Sequence, residues 1–191
     1  VDEAILDQIA DAAEICGTDA VLEIGPGTGA LTGRLAERAG RLVAVEVDRG
    51  LSSLLSEQFA DAPQVEILCA DILKTDPYVL FGKERGQSGG ASVKVVANLP
   101  YYITTPILLS LLPMTDLFSW FVVMLQKEVA DRMTAGPGGK EYGALSLITQ
   151  YYAQPSLVTL VPPSAFYPQP EVTSAVLRLS RPDHAPVAVR D

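Results

Sequence analysis

Five short β-branched runs alternate with stretches of helical apolar spacing over roughly the first two thirds of the chain. The runs are "AVLEI" (20–24), "LVAVE" (42–46), "VEILCA" (65–70), "VKVVA" (93–97) and "WFVVML" (120–125). Residues 29–39, 49–60 and 104–112 carry the intervening helical pattern. Such alternation builds βαβ units, and near-continuous apolar strands belong to a parallel sheet covered on both faces. With 191 residues, 48% of them hydrophobic and 19% charged, the chain can bury such a sheet as one unit.

After residue 125 the rhythm changes. "QKEVADRMTA" continues as a helix, "PGGKEYG" is a Gly-rich loop, and "ALSLITQYYA" is a further helix. "PSLVTLVPPSAFYPQPEVTSAVLRLS" then reads as two strands around a Pro-rich connection. Joined without a helix, they should pair antiparallel at one sheet edge. The expected fold is α/β and Rossmann-like: a mostly parallel seven-stranded sheet with an antiparallel edge pair and helices on both faces. That is the layout of class I methyltransferases. Residues 1–181 should form the catalytic domain and 182–191 a linker, while "GKERGQSGGAS" (82–92) reads as a mobile surface insertion.

No uninterrupted apolar run is long enough to span a bilayer, and the acidic, amphipathic "VDEAILDQIADAAEIC" is not a signal peptide. Cys16 and Cys69 lie in apolar segments and are expected as buried free thiols of a cytoplasmic protein. A net charge of −9 argues against non-specific nucleic-acid binding by this chain alone. Val1 in place of Met, and the Pro-punctuated "RPDHAPVAVRD", read as the cut ends of a longer protein.

"LEIGPGTGAL" (22–31) places Gly25, Gly27 and Gly29 at a strand-to-helix junction, where missing side chains let a ligand approach the backbone. Glu46 ends the next strand, where an acid accepts hydrogen bonds from ribose hydroxyls. Dinucleotides and S-adenosylmethionine both fit this layout, and three details favour the methyl donor. The spacing is not G-x-G-x-x-G, and Pro26 has no N–H to offer a pyrophosphate. Glu23 stands ahead of the glycines, where it would repel a phosphate and favour an ammonium or sulfonium. Asp71, at the tip of the third strand, can accept from an adenine amino group, although a loop or capping acid is its commoner role.

The fourth strand ends in "NLPYYITTP" (98–106), so Asn98 emerges beside the same crevice. An adenine amine is a poor nucleophile because its lone pair is delocalised into the ring. The Asn98 side-chain oxygen and a nearby backbone carbonyl, that of Leu99, could accept its two N–H bonds and free that lone pair. Pro100 would fix the turn that aims the carbonyl, and Tyr101 would stack on the base. Tyr102 reads as packing. Asn98 could instead cap the following helix, though Thr104 or Thr105 is better suited to do so.

Taken together, "LEIGPGTGALT", "VAVEVD", "ADIL", "ANLPYYITTPIL", "MLQKEVADRM", "GKEYGALSLITQYY" and "VPPSAFYPQPEVTSAVLRL" closely resemble the ribosomal RNA adenine dimethyltransferase family. The resemblance covers nearly the whole chain. It implies transfer of two methyl groups from S-adenosylmethionine to N6 of each of two adjacent adenosines near the 3′ end of small-subunit ribosomal RNA. It also implies that Gly25, Glu46, Asp71 and Asn98 contact the cofactor, and that Asn98-Leu99-Pro100-Tyr101 is the catalytic tetrapeptide. Phe166, in "PPSAFYP", matches the aromatic that closes on the target base from the other side. Glu23 and Gly27 complete the candidate cofactor residues.

The chain departs from the family pattern at both ends. Members begin with a basic segment ending in a Gln-Asn-Phe-Leu stretch over the cofactor, and they carry a helical C-terminal domain that helps grip RNA. Parts of that kind would supply the basic surface this chain lacks; by itself it is expected to bind cofactor weakly and to have little activity. Lys127, Arg132 and Lys140 flank a loop suited to phosphate contact. The expected partner is the small ribosomal subunit RNA in a precursor particle, with a monomeric protein, no metal and no membrane. Alternatives are a large-subunit methyltransferase of the antibiotic-resistance type and an assembly factor with catalysis secondary. A nicotinamide oxidoreductase fits the glycines less well, and the only histidine, His184, lies in the terminal stretch.

Overall fold

The central strands are mostly apolar because both of their faces are covered. The computed structural model of the protein describes residues 1–82 and 93–182. In chain order its elements are α1 (Glu3–Ala12), β1 (Ala20–Ile24), α2 (Ala30–Ala36), β2 (Arg41–Glu46), α3 (Arg49–Gln58), β3 (Val65–Cys69), α4 (Pro77–Phe81), β4 (Val93–Asn98), α5 (Thr104–Leu111), β5 (Phe118–Gln126), α6 (Lys127–Thr134), α7 (Ala144–Tyr152), β6 (Gln154–Val161) and β7 (Ser174–Ser180). Short 3₁₀ turns occupy Ile72–Lys74 and Pro163–Ala165.

The strands form one sheet in the order β3-β2-β1-β4-β5-β7-β6. β1 through β5 pair in parallel, and β7 runs antiparallel to both β5 and β6. The Pro-rich connection therefore returns the last strand between β5 and β6, and β7 is the one reversed strand. Side chains alternate across the sheet. Leu22, Ile24, Val95, Val123 and Leu125 face a core closed by α5, α4 and the α6–α7 pair, through Leu108, Phe81, Met133 and Leu145. Val21, Val96, Val122 and Met124 face the opposite core, closed by α1 and α2 through Ile9, Leu31 and Leu35. The strands at the two ends of this order are less covered: β3 is half-buried and β6 is mostly exposed.

Two helix starts follow from local chemistry. Asp2 and Asp48 cap α1 and α3, their carboxylates accepting from the N–H groups of Ala4 and Leu51. The helix at 104 begins differently from either sequence expectation. Its N-cap is Ile103, which makes no side-chain bond, and the Thr104 hydroxyl donates instead to the Pro100 carbonyl. Asn98 remains the last residue of β4.

The cysteine reading is corrected: Cys16 and Cys69 are free but exposed. Cys16 lies in the turn after α1, and Cys69 ends the half-buried strand β3, so an apolar neighbourhood in sequence did not mean burial in space. Most of the 82–92 insertion, the linker after residue 182 and His184 lie outside the described residues. No helix among the described residues is long and apolar enough to cross a membrane.

Candidate active site

Neighbours β1 and β4 lead into connections that depart in opposite directions, toward β2 and β5, which opens a crevice beyond their C-terminal ends. Every proposed site residue before the Pro-rich segment sits on that rim. Glu23 is near the end of β1, with Gly25 and Gly27 just beyond it; Glu46 ends β2, Asp71 follows β3, and Asn98 ends β4.

The glycine loop divides its labour. Gly29 has φ +85°, and a Cβ there would lie 2.7 Å from Leu55 Cδ2, so this glycine lets α2 pack against α3. Gly27 has φ +59°, and a Cβ on it would meet nothing, so the loop leaves open space on the crevice side. The Gly27 N–H donates to Glu46 Oε2 at 3.2 Å, while Glu46 Oε1 accepts from the Asp48 N–H at 2.9 Å. A backbone donor that could have faced a phosphate is thus turned to a carboxylate. Asp71 is a capping acid that also lines the crevice. Its carboxylate caps the 3₁₀ turn through the Leu73 N–H and lies 3.3 Å from Lys74 Nζ, and it also faces the crevice.

Glu23 is the electrostatic anomaly. It is 1% exposed, and its Oε2 has no hydrogen-bond partner among the described residues. Burial pushes its carboxyl up to about 8; the Thr32 hydroxyl nearby works against this, and the Glu46 charge adds to it. Thr32 Oγ1 is itself unpartnered, so the two groups are close without a well-formed hydrogen bond. An unmet buried acid at the mouth of a cavity favours a cationic ligand and opposes an anionic one.

The NLPY segment is held from both sides. Leu99 is buried, and its N–H donates to the Met124 carbonyl at 2.9 Å. The Pro100 carbonyl accepts from the Ile103 N–H and the Thr104 hydroxyl, and the Tyr101 hydroxyl lies 2.6 Å from Ser174 Oγ on β7. Asn98 differs from these neighbours: its side-chain amide makes no hydrogen bond with any described residue.

Three cavities meet around this segment. One of about 300 Å³ is lined by Gly25, Glu46, Asp71, Ile72, Pro100 and Ile103, among others. A second, of about 200 Å³, is lined by Glu23, Gly25, Gly27, Leu31, Asn98 and Val1. The third, of about 270 Å³, lies between Asn98, Leu99, Pro100 and Tyr101 on one side and Phe166, Pro168 and Pro170 on the other. Each pair of cavities shares a residue: Gly25 joins the first two, Asn98 the last two, and Pro100 the first and third. All ten candidate catalytic, stacking and cofactor residues line at least one of the three, whereas Lys127, Arg132 and Lys140 line none. Tyr102, read as packing, is 79% exposed and lines the rim of the first cavity. Val47, Leu73 and Ile103 were not foreseen as lining residues, because hydrophobic side chains on loops carry no distinguishing mark.

Comparison with known proteins agrees with this geometry. The whole chain, residues 1–191, matches the family described as ribosomal RNA adenine dimethylase. It is 47% identical over 189 residues to ribosomal RNA small subunit methyltransferase A of Alkaliphilus oremlandii, covering 99% of this chain and 65% of that protein. It is 49% identical over 192 residues to the protein of the same name from Lachnoclostridium phytofermentans, covering 100% of this chain and 65% of the relative. Among solved structures, a dimethyladenosine transferase from Plasmodium falciparum superposes with a TM-score of 0.81 at 31% identity, over 94% of this chain and 62% of that one. The 23S rRNA methyltransferase ErmE superposes with a TM-score of 0.82 at 28% identity, over 100% and 72% of the respective chains. The fold is thus that of the class I, Rossmann-like methyltransferases.

Proposed function

This chain belongs to the ribosomal RNA adenine dimethylase family, and from that premise we propose that it is the catalytic domain of an S-adenosylmethionine-dependent enzyme. The enzyme dimethylates N6 of two adjacent adenosines near the 3′ end of small-subunit ribosomal RNA, as part of subunit maturation in the cytoplasm. The chain spans about 65% of the length of the two curated relatives described above. Residues 1–181 would be the catalytic unit and 182–191 a linker.

The observation that carries this reading is the meeting of three cavities at Gly25, Asn98 and Pro100. The residues present fit the cofactor. Glu46 and Asp71 would receive the ribose hydroxyls and the adenine amine in the first cavity, against the apolar wall of Ile72 and Ile103. Glu23, Gly25 and Gly27 would hold the cationic amino-acid end in the second, where the unpartnered Glu23 oxygen gains a partner. When bound, the cofactor supplies an electrophilic methyl group on a sulfonium.

The third cavity would take the target base between Tyr101 and Phe166. The Tyr101 ring is already fixed by its hydroxyl contact to Ser174, so little ordering remains for binding to bring about. Asn98 would accept one N–H of the amine through its unengaged amide oxygen, and the Leu99 carbonyl the other, localising the nitrogen lone pair. No side chain with a tuned pKa is needed as a base, because the amine proton becomes acidic once the nitrogen has gained its methyl group and can leave to water.

The test is methylation of isolated ribosomal subunits that lack the modification, using full-length protein and radiolabelled S-adenosylmethionine. The expected label is in the small-subunit RNA at adenine N6. Label in large-subunit RNA instead would overturn the substrate assignment. Stable binding to small subunits without label would favour an assembly factor.

A further inference from the structure

The two aromatics that face each other across the third cavity, Tyr101 and Phe166, are each followed in the chain by an exposed tyrosine. These second tyrosines have different surroundings. Tyr102 lines the first cavity, the proposed cofactor lobe. Tyr167 is 97% exposed and lines none of these cavities, yet both chain neighbours, Phe166 and Pro168, line the third. Its hydroxyl has no partner among the described residues. Tyr167 thus stands between two residues of the base pocket's wall, and its exposed ring holds nothing in the fold.

We propose that Tyr167 is a substrate-positioning residue, a stacking platform for an unpaired base next to the target adenosine on the RNA strand. This rests on the reading of the third cavity as the target-base pocket. A base drawn into that pocket leaves its neighbour on the strand unstacked at the rim, and an aromatic face there recovers the lost stacking without regard to sequence. Charge favours this kind of grip over a phosphate clamp. The chain carries −9 overall, and Arg34, Arg38, Arg41, Lys94, Lys127 and Arg178 are each paired with a carboxylate, while Arg132 and Lys140 line none of the three cavities. Stacking needs no free cation. Pro168 and Pro170 restrict the backbone around the ring and limit what must be ordered on binding.

The test compares full-length wild type with Tyr167→Ala, Tyr167→Phe and Tyr102→Ala on small subunits lacking the modification. Tyr167→Ala should raise the KM for subunits roughly ten-fold, as expected for loss of one base–aromatic stack. Its kcat, its Kd for S-adenosylmethionine and its thermal midpoint should not move. Tyr167→Phe should restore the wild-type KM, because stacking uses the ring and not the hydroxyl. Tyr102→Ala should instead weaken cofactor binding. An unchanged KM in Tyr167→Ala overturns the inference, and so does an equal rise in Tyr167→Phe. Failure of wild type to label either subunit would count against the function proposed above. The inference would then be judged on binding alone, by quenching of a 2-aminopurine placed beside adenosine in single-stranded RNA. Quenching lost in Tyr167→Ala supports it, and equal or absent quenching overturns it.

Discussion

The two ends of the parallel strands are built on opposite terms. At the N-terminal end, buried charge is satisfied. Lys94, on β4, lies 2.8 Å from the buried Asp19 carboxylate and donates to the Glu14 carbonyl at 2.6 Å. Asp19 also accepts from the Cys16 N–H, and although burial works to raise its pKa, Lys94 and that N–H together hold it below the ordinary value. Arg178 pairs with Glu14 at 2.6 Å, and its guanidinium carbon sits 3.9 Å from the centre of the Trp120 ring. At the C-terminal end the polar groups are left short. Glu23 Oε2 and Thr32 Oγ1 are buried without partners, and the Asn98 amide is unengaged. One end is closed by paired charge, with the neutral Trp120 indole N–H unpartnered among the described residues; the other keeps a buried acid and an amide unmet.

That contrast predicts stability effects at one end and functional effects at the other. The largest should come from Lys94→Met, which keeps the shape of the stem but strands the Asp19 charge. Loss of one member of a buried pair costs about 3–5 kcal/mol, to be read as a lower midpoint in urea. Part of the loss should be recovered at acid pH. Asp19 stabilises the fold above its unfolded pKa, and that contribution fades as pH falls through its depressed folded value. A loss below about 1 kcal/mol would mean that the pair is not closing that end.

Glu23→Gln should act in the opposite direction. In the folded chain Glu23 keeps its proton up to about pH 8, whereas the unfolded carboxyl releases it near 4.5. The folded state therefore binds more protons between these values, and stability falls as pH rises through that window. Removing the titration should stabilise the ligand-free protein by about 3 kcal/mol near neutral pH, and hardly at all near pH 4. The same variant should bind S-adenosylmethionine more weakly, with the deficit growing toward alkaline pH as wild-type Glu23 ionises. Destabilisation at neutral pH would remove the contrast between the two ends. Arg38→Ala serves as the small reference. Its bond to Asp11 lies on the surface, away from both ends, and its loss should cost less than about 0.5 kcal/mol in the same titration.

Much of this was legible in the sequence because periodic burial leaves a periodic trace. The five parallel strands declare themselves since β1, β2 and β4 are covered on both faces and are apolar apart from Glu23, Lys94 and residues at strand ends. The hairpin-like close of the chain was legible as two strands with no helix between them. The glycines, Glu46, Asp71 and the NLPY segment were legible because each stands at a strand tip, and the topology gathers those tips. What was not legible depends on contacts made across the sheet. The Lys94–Asp19 pair joins β4 to the residue just before β1, far apart in sequence. The exposure of Cys16 and Tyr102 depends on which way a turn faces, and that of Cys69 on the outer position of β3; hydrophobic company in sequence determines neither. α4 went unforeseen because it is a single short segment started by Asp76 and Pro77.

The central claim is that the unmet groups at the C-terminal end serve transfer and not folding, and Asn98→Ala addresses it most directly. The measurement is single-turnover methyl transfer to small subunits by the full-length variant, beside its cofactor Kd and thermal midpoint. Because the Asn98 amide bonds to nothing in the fold, the midpoint should stay within about 1 °C. Cofactor affinity should change little, while transfer should slow by about 100-fold or more, the usual effect of removing one preorganised polar contact to the reacting group. Transfer at the wild-type rate, or a loss that merely tracks a fallen midpoint, would contradict the account.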